Sequence, residues 1–405
     1  MKKAAAVLLS AMTATTVFAG CQTSGKDPAK LTIAARGGTH VTAMESVKGA
    51  FEKEHNVTIE ILGLEAADLK QKVTLDAKNK TGAYDLIMAD DPWMPEFSEA
   101  NIFAKLSGLG VKEDADFEES SLALGKHPYK TGDLYALPFS GNVQLFFYNK
   151  KLLDSKGIKT PQSWDEVLEA AGKIKAGGGT GYVIRGQQGN PIVSDFLPVF
   201  WAYGGQVFDS SWKAQVDSEA GKKALNTYIS LLKTGANYEQ TDIVSSVSEG
   251  RAAMALGWPS WFIKNGESSA DYAPIPAKAA VSGTAASTGM IGNWMMGVTA
   301  NSANKDLAGK FLTFITSSES QKIMAEHGGV PTRKSVYLDS ALSAKFKHFP
   351  VQLEALQNSV ARPRTPKWSR VEEALGAELS AAVAGTKSVD DALAAAKKAI
   401  DQIMQ

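Results

Sequence analysis

The N-terminal part of the chain alternates between strand-like and helix-like stretches. Three short apolar stretches have strand character, and the two stretches between them repeat apolar residues at helical spacing; in order these are Leu31–Ala35, Val41–His55, Val57–Leu62, Asp68–Lys80 and Tyr84–Ala89. This order predicts a parallel sheet with helices packed on its faces. Ligands meet such sheets at the carboxyl ends of the strands. We therefore expect a binding site near the loops Arg36–His40 and Asp90–Trp93.

A second constraint comes from the stretch Tyr135–Lys150, YALPFSGNVQLFFYNK. Its part from 143 to 148 is apolar at nearly every position, which indicates a strand covered on both faces. The preceding Ser-Gly-Asn at 140–142 is small and permits unusual backbone angles. The stretch is therefore predicted to cross from one packing unit to another.

Chain length and two further crossings define the expected architecture. A chain of 405 residues exceeds what one hydrophobic core usually organises. Further Gly-rich or Pro-rich crossings are predicted near Gly283–Asn293 and Gly328–Arg333. We predict an α/β fold of two doubly wound lobes joined by a multi-strand hinge, with a ligand cleft between them. The predicted N-terminal lobe comprises residues 31–138 plus 294–332, and the C-terminal lobe residues 139–293 plus 333–405.

The N-terminus has the organisation of a secretory signal. A basic Met-Lys-Lys start precedes an apolar, Ser/Thr-containing stretch that is too short for a membrane-spanning helix. Phe18-Ala19-Gly20-Cys21 resembles the bacterial lipobox, except that Phe18 stands where Leu is usual. This resemblance implies a signal peptide at 1–20 and a lipidated tether at 21–30, with Cys21 carrying acyl chains such as palmitate. The alternative is ordinary cleavage after Ala19, with Cys21 as an incidental cysteine.

Charge and motif content exclude several function classes. Acidic and basic residues balance at 43 each, which removes the positive field that nucleic-acid binding needs. The glycine-rich run 177–181 precedes a strand and lacks the Lys-Ser/Thr of a P-loop. The five histidines share no metal-ligand spacing. We therefore expect no nucleic-acid partner, no metal site and no cofactor.

Several landmarks occur in an order that resembles the sugar-type bacterial extracellular solute-binding proteins, which are related to the maltose-binding protein. The landmarks are AYDLIMADDPW (83–93), YALPFSGNVQLFFYNK (135–150), PQSWDEV (161–167), FWAYGG (200–205), EGRAAMALGW (249–258) and GGVPTRKSV (328–336). The resemblance implies the class II periplasmic-binding-protein fold. It also implies the substrate-binding component of an ABC importer, which captures a sugar, oligosaccharide or sugar alcohol by lobe closure and delivers it to the membrane permease. We accordingly expect a monomer without enzymatic activity, exported and lipid-anchored in the periplasm or at the cell surface.

The chemistry of sugars selects the candidate ligand contacts. Sugar rings present apolar C–H faces and a rim of hydroxyls, which suit flat aromatic side chains and planar donors and acceptors. For each aromatic candidate the alternative is packing within a lobe. The candidate ligand-binding residues are Arg36, His40, Asp90, Asp91, Trp93, Asn142, Trp201, Tyr203, Trp258, Asn293, Trp294, Arg333, Arg364 and Trp368.

Other functions remain open at the level of sequence. The adjacent Asp90 and Asp91 are compatible with a cationic ligand such as a polyamine, and phosphate or metal ligands belong to the same binding class. A surface glycan hydrolase is the alternative from a different class. It needs two carboxylates about 5–10 Å apart on opposite sides of one glycosidic bond. Adjacent residues do not naturally supply that arrangement.

Overall fold

The structure is a computed structural model that describes residues 30–264, 267–276 and 289–405. Its architecture consists of two five-stranded sheets, with helices packed against them, and two short hairpins. Within these ranges no helix combines the length and apolar character needed to cross a membrane. The predicted signal peptide and Cys21 lie outside the described residues.

The secondary structure alternates between strands and helices along most of the chain. Within the described residues the strands are β1 (Lys30–Arg36), β2 (Thr58–Leu64), β3 (Leu86–Asp90), β4 (Lys126–His127), β5 (Asp133–Leu134), β6 (Leu137–Ser140), β7 (Leu145–Tyr148), β8 (Thr180–Ile184), β9 (Ala236–Asn237), β10 (Ala252–Gly257), β11 (Ile263–Lys264), β12 (Glu267–Ser268), β13 (Asp271–Ala273) and β14 (Trp294–Val298). The α-helices of the same ranges are α1 (Thr39–His55), α2 (Ala66–Asn79), α3 (Met94–Glu99), α4 (Glu119–Leu124), α5 (Lys150–Asp154), α6 (Trp164–Ala176), α7 (Asn190–Ala202), α8 (Glu219–Thr234), α9 (Gln240–Ser248), α10 (Pro259–Phe262), α11 (Lys305–Ile315), α12 (Ser318–Glu326), α13 (Lys334–Tyr337), α14 (Ser340–Lys345), α15 (Phe349–Gln357), α16 (Trp368–Val383) and α17 (Val389–Met404).

The first sheet forms the centre of the N-terminal lobe and has the predicted parallel arrangement. Its strand order is β2-β1-β3-β14-β6, with β1 parallel to both β2 and β3. Strands β1 and β3 are buried along most of their length, as their apolar sequences predict. β14 runs antiparallel to β3 and pairs Trp294 with Asp90. Trp294 is thereby placed at the carboxyl end of β3.

The second sheet forms the centre of the C-terminal lobe. Its strand order is β13-β7-β10-β8-β9, with β10 parallel to β8 and antiparallel to β7. Helices α6 and α8 pack against β8, while α16 packs against α7 and α17 against α8. Ser163, Ser218 and Ser388 each accept a hydrogen bond from a backbone N–H of the following turn, which fixes where α6, α8 and α17 begin.

Two of the predicted crossings connect the lobes. β6 of the first sheet continues through residues 141–144 into β7 of the second sheet, so YALPFSGNVQLFFYNK crosses as predicted. The chain returns from β13 to β14 through a segment of which residues 277–288 lie outside the described ranges. At the first crossing Gly141 lies so close to Pro331 that a Cβ atom would be 2.0 Å from the Pro331 carbonyl oxygen.

The prediction that the chain crosses between the lobes at Gly328–Arg333 is wrong. After this segment α13 packs against α12 and α15 against α4, and Tyr337 is buried with the core residues of the first sheet. Arg333 is held in the same lobe because its guanidinium lies 2.5 Å from Asp114 and 3.3 Å from Asp116. The chain reaches the C-terminal lobe only after α15, through residues 358–367. Residues 333–357 therefore belong to the N-terminal lobe, and 358–367 is the third crossing.

The close approach of Gly141 to Pro331 gives a stability prediction. Gly141→Ala places a methyl group against a backbone carbonyl, so we expect the free energy of unfolding to fall by about 1–3 kcal/mol. Gly172→Ala is the matched control, because a Cβ at this position inside α6 meets nothing within 4 Å. The control should gain about 0.5–1 kcal/mol. Urea denaturation measures both changes, and an unchanged midpoint for Gly141→Ala would contradict this packing.

Candidate functional site

A cleft of about 1160 Å³ lies between the two lobes. Its N-terminal wall is formed by the loop after β1, by α2 and by residues at the end of β3. Its C-terminal wall is formed by the first turns of α7, α9 and α16 and by residues in and before α10. Asn142, Gly292 and Arg362 come from the three crossings and also line the cleft. Both lobes and all three connecting segments therefore line the cleft.

Three aromatic side chains form a contiguous group on the N-terminal wall. The Trp294 ring lies 5.7 Å from the Trp93 ring, nearly perpendicular to it, and 5.8 Å from the His40 ring. Burial lowers the pKa of His40 to about 4, and the nearby charge of Arg36 acts in the same direction. The imidazole is therefore neutral near pH 7, with one nitrogen able to donate a hydrogen bond and the other able to accept one.

Two further tryptophans face the cleft from the C-terminal wall. The rings of Trp258 and Trp261 lie 6.4 Å apart at 68°. Gly292 permits the second crossing to pass Trp258, because a Cβ atom there would lie 2.3 Å from the indole ring. The guanidinium of Arg185 lies 4.8 Å from the Trp261 ring centroid, and its Nη2 is 2.7 Å from the buried Asp195 carboxylate. This ion pair holds Arg185 against Trp261.

Arg362 is the centre of a buried charged cluster at the third crossing. Its Nη2 donates to Asp90 Oδ1 at 2.9 Å and to Asp91 Oδ2 at 2.8 Å, and its Nη1 lies 3.9 Å from Glu372 Oε1. Arg364 donates through Nη1 to Asp91 Oδ1 at 3.0 Å and through Nη2 to a backbone carbonyl of α4 at 3.0 Å. The cluster thus joins the end of β3, the third crossing and α16.

Burial and ion pairing oppose each other in this cluster. Burial lowers the pKa of Arg362, but Asp90 and Asp91 outweigh it, so the pKa lies above its ordinary value and the guanidinium stays charged. Burial raises the pKa of Asp91 and of Glu372, while Arg362 acts in the opposite direction. The carboxylates of Asp90 and Asp91 are therefore engaged with arginine rather than free for a cationic ligand.

Other charged side chains on the cleft walls are paired as well. Arg36 lies 2.8 Å from Glu65, and Lys70 lies 2.7 Å from Glu96. Lys78 at the rim is exposed and has no charged partner within the described residues. In the part of the chain that the structure describes, no three His, Cys, Asp or Glu side chains are grouped to hold a metal ion.

Asn142 contributes an unpaired acceptor between the walls. Its Nδ2 donates to Ser260 Oγ at 3.0 Å, which links the first crossing to α10. Its Oδ1 has no hydrogen-bond partner within the described ranges, although the side chain is only 6% exposed. A buried amide oxygen without a partner is unfavourable.

Half of the predicted ligand contacts line this cleft. They are Arg36, His40, Asp90, Trp93, Asn142, Trp258 and Trp294. Three others are buried and do not line it. Asp91 and Arg364 are fully or almost fully buried in the ion pair that joins them. Asn293 is completely buried next to Trp294, and its backbone oxygen accepts from the Asp91 N–H at 3.0 Å.

The remaining four predicted contacts lie elsewhere, each for a visible packing reason. Trp201, near the end of α7, lines a separate cavity of about 500 Å³ beside the third crossing. The Tyr203 hydroxyl makes a 3.0 Å hydrogen bond with α8. Arg333 is held in the N-terminal lobe by the two carboxylates described above. Trp368 is 1% exposed and packs in the core of the C-terminal lobe.

The cleft also contains residues that the sequence analysis did not identify, including Lys70, Arg185, Trp261, Arg362 and Glu372. Arg185 directly follows β8, so the rule that ligands meet strand carboxyl ends was sufficient to find it. Lys70 and Glu372 lie on helices whose polar faces resemble ordinary solvated faces in sequence. No local pattern distinguishes Arg362, which lines the cleft, from Arg364, which does not.

The sequence is similar to those of known binding proteins. A family model described as bacterial extracellular solute-binding protein matches residues 37–322. A probable amino-acid ABC transporter periplasmic-binding protein of Sinorhizobium fredii is 25% identical, covering 93% of this chain and 89% of the relative. A mannitol-binding protein of Pseudomonas aeruginosa is 26% identical, covering 93% of both chains.

The fold has close structural counterparts. A solute-binding protein of an ABC transporter from Agrobacterium radiobacter, solved in complex with ribitol, superimposes with a TM-score of 0.82 at 23% identity. The alignment covers 93% of this chain and 99% of the other, so it includes both lobes. It confirms the predicted two-lobed periplasmic-binding-protein fold. The chain belongs to the family of bacterial extracellular solute-binding proteins.

Proposed function

We propose that this protein is the substrate-binding component of an ABC importer and that it captures a neutral carbohydrate: a sugar, an oligosaccharide or a sugar alcohol. The observation that carries the proposal is the composition of the cleft. Aromatic rings line both walls, whereas the ionic groups between them are largely paired with one another. The mannitol-binding relative supports the same ligand class.

The aromatic side chains supply what a polyhydroxyl ligand needs from an apolar surface. Trp93 and Trp294 on one wall, and Trp258 and Trp261 on the other, offer flat rings for the C–H groups of the ligand. The neutral His40 and Asn142, which both line the cleft, provide hydrogen-bonding groups for hydroxyls. These groups carry no net charge, so they suit a neutral ligand.

The paired charges argue against a charged ligand. A polyamine needs carboxylates that are free, but Asp90 and Asp91 already accept hydrogen bonds from Arg362 and Arg364. An amino acid, the ligand named for the Sinorhizobium relative, needs a free cation for its carboxylate as well as a free anion for its ammonium group. Either ligand must displace an existing ion pair, and leaving a buried charge unpaired is costly.

The same pairing argues against glycan hydrolysis. A hydrolase needs one carboxyl group that donates a proton and a second that attacks the sugar or activates water. Asp90 and Asp91 are both engaged by Arg362, and the relatives described above are named as binding proteins. Binding without catalysis is therefore the function we propose.

Lobe closure follows from the position of the cleft between the lobes. A ligand first binds one wall in an open state, and the second wall then approaches it by bending of the three crossings. The closed form is the state that delivers the ligand to the membrane permease. We expect the protein to act as a monomer in this cycle.

The binding prediction concerns one tryptophan from each wall of the cleft. Titration with a panel of neutral sugars and alditols, followed by tryptophan emission, should reveal a ligand. Trp294→Ala and Trp258→Ala should each weaken its binding by about 5- to 30-fold, because each removes an aromatic face worth about 1–2 kcal/mol. Calorimetry provides the dissociation constants of the variants.

Trp212→Ala is the control for these variants, because Trp212 is 44% exposed and lies outside the cleft. It should leave the dissociation constant unchanged. A response to an amine or a metal, together with no response to any carbohydrate, would overturn the proposed ligand class.

We also propose that the chain is exported and anchored through Cys21, which is the only cysteine of the sequence. Membership of an extracellular family supports export, and the lipobox-like Phe18-Ala19-Gly20-Cys21 supports acylation. A lipid anchor keeps a soluble binding protein close to its permease.

The anchor can be tested in cells that produce the full-length chain. The unsubstituted protein should fractionate with membranes, and Cys21→Ser should move into the soluble fraction because no acyl chain can be attached. Gly25→Ser in the predicted tether is the control and should stay with the membranes. Membrane association of Cys21→Ser equal to that of the unsubstituted protein would rule out lipidation as the anchor.

A further inference from the structure

Lys70 makes a direct hydrogen bond across the cleft. It lies on α2 in the N-terminal wall, and its Nζ is 2.5 Å from the hydroxyl of Ser369 on α16. α16 packs against α7 in the C-terminal lobe, so this hydrogen bond joins the two lobes. Both residues line the cleft, and 299 positions separate them in the sequence.

Contacts within the N-terminal lobe hold the ammonium group of Lys70 in place. Glu96, on α3, accepts a hydrogen bond from Nζ at 2.7 Å. The same nitrogen lies 5.7 Å from the centroid of the Trp93 ring, within the range of a cation–π interaction. Lys70 is largely buried, with 22% of its side chain exposed. Its contacts with Glu96 and Trp93 involve only the N-terminal lobe, so they persist whatever the hinge angle.

The contact with Ser369 depends on the hinge angle. α16 follows immediately after the third crossing, so rotation of the C-terminal lobe moves Ser369 relative to α2. A rotation that carries Ser369 away from α2 breaks the Lys70–Ser369 hydrogen bond. A contact made only in one state stabilises that state by its full free energy.

We propose that Lys70 is a positioning residue that latches the lobes through Ser369 and so slows the release of the bound carbohydrate. The inference rests on the proposed function, because it assigns a role in ligand release to a residue of the same cleft. The latch acts on dissociation, since the hydrogen bond must break before the lobes separate. It does not act on the first encounter, in which the lobes are apart. Lys70 also keeps Trp93, a proposed ligand-contacting ring, next to the latch.

The kinetic test uses the neutral carbohydrate found by titration and measures its association and dissociation rates by stopped-flow fluorescence. The variants are Ser369→Ala, Lys70→Met, the double variant and a control. Ser369→Ala and Lys70→Met should each raise the dissociation rate roughly three- to tenfold, the value of one hydrogen bond. The double variant should be no faster than Lys70→Met alone, because both substitutions break the same contact. Association rates should remain within about twofold, because the latch is absent at encounter.

Lys72→Met is the matched control: it removes the same charge from the same helix, at an exposed position outside the cleft. It should leave both rates unchanged. An unchanged dissociation rate in Ser369→Ala would overturn the latch. Effects of the two substitutions that multiply in the double variant would overturn it as well, because they would show that Lys70 and Ser369 act independently.

A second measurement separates the latch from the ligand assignment. The Cys21→Ser protein has no other cysteine. Lys53→Cys on α1 and Glu373→Cys on α16, introduced together, therefore give one exposed spin-label site on each lobe. In the absence of any ligand, Ser369→Ala should shift the interlabel distance distribution towards longer distances. An unchanged distribution would contradict the latch even if a carbohydrate binds. A failed carbohydrate panel would overturn the ligand class and leave this distance measurement to decide the latch.

Discussion

The guanidinium of Arg362 is the interaction on which the cleft depends. It lies on the third crossing and pairs with Asp90 and Asp91 at the end of β3, with Glu372 of α16 nearby. These contacts tie the N-terminal lobe, the hinge and the C-terminal lobe to one point. Because the cluster is largely buried, loss of the Arg362 guanidinium leaves Asp90 without a charged partner within the described residues, and breaking a buried ion pair typically costs about 3–5 kcal/mol. The cluster therefore holds both lobes and the third crossing together at one point beside the cleft.

The same ion pairs determine what the cleft can recognise. From the sequence alone, Asp90 and Asp91 are candidates for binding a cation. In the structure, their charges are neutralised by Arg362 and Arg364. Among the residues that the structure describes, the other cleft charges are likewise paired, apart from an exposed lysine at the rim. Aromatic faces and neutral hydrogen-bonding groups then remain as the means of recognition. The proposed specificity for a neutral polyhydroxyl ligand rests on this pairing of charges as much as on the tryptophans.

The sequence was sufficient to predict the parallel core of the first sheet and the crossing at 135–150, because burial on both faces leaves continuous apolar stretches. It was also sufficient for cleft residues at strand ends, such as Trp93, Trp258 and Trp294.

The prediction from sequence failed where the position of a residue depends on long-range pairing. The sequence places Arg333 at a crossing, but ion pairs with Asp114 and Asp116, more than 200 residues away, hold it in the N-terminal lobe. Trp368 and Trp201 were assigned to the cleft because the sequence does not show which way a helix end faces in the fold.

The central claim is that the cleft selects a neutral ligand because its own charges are paired. Calorimetric titration with three forms of one sugar tests it most directly. The forms are glucose, its cationic 2-amino derivative and its anionic uronic acid. If another sugar binds, the corresponding three forms of that sugar are used. The account predicts that the neutral form binds at least about tenfold more tightly than either charged form, because each charged form must compete with an existing ion pair. Tighter binding of the cationic or the anionic form would contradict it.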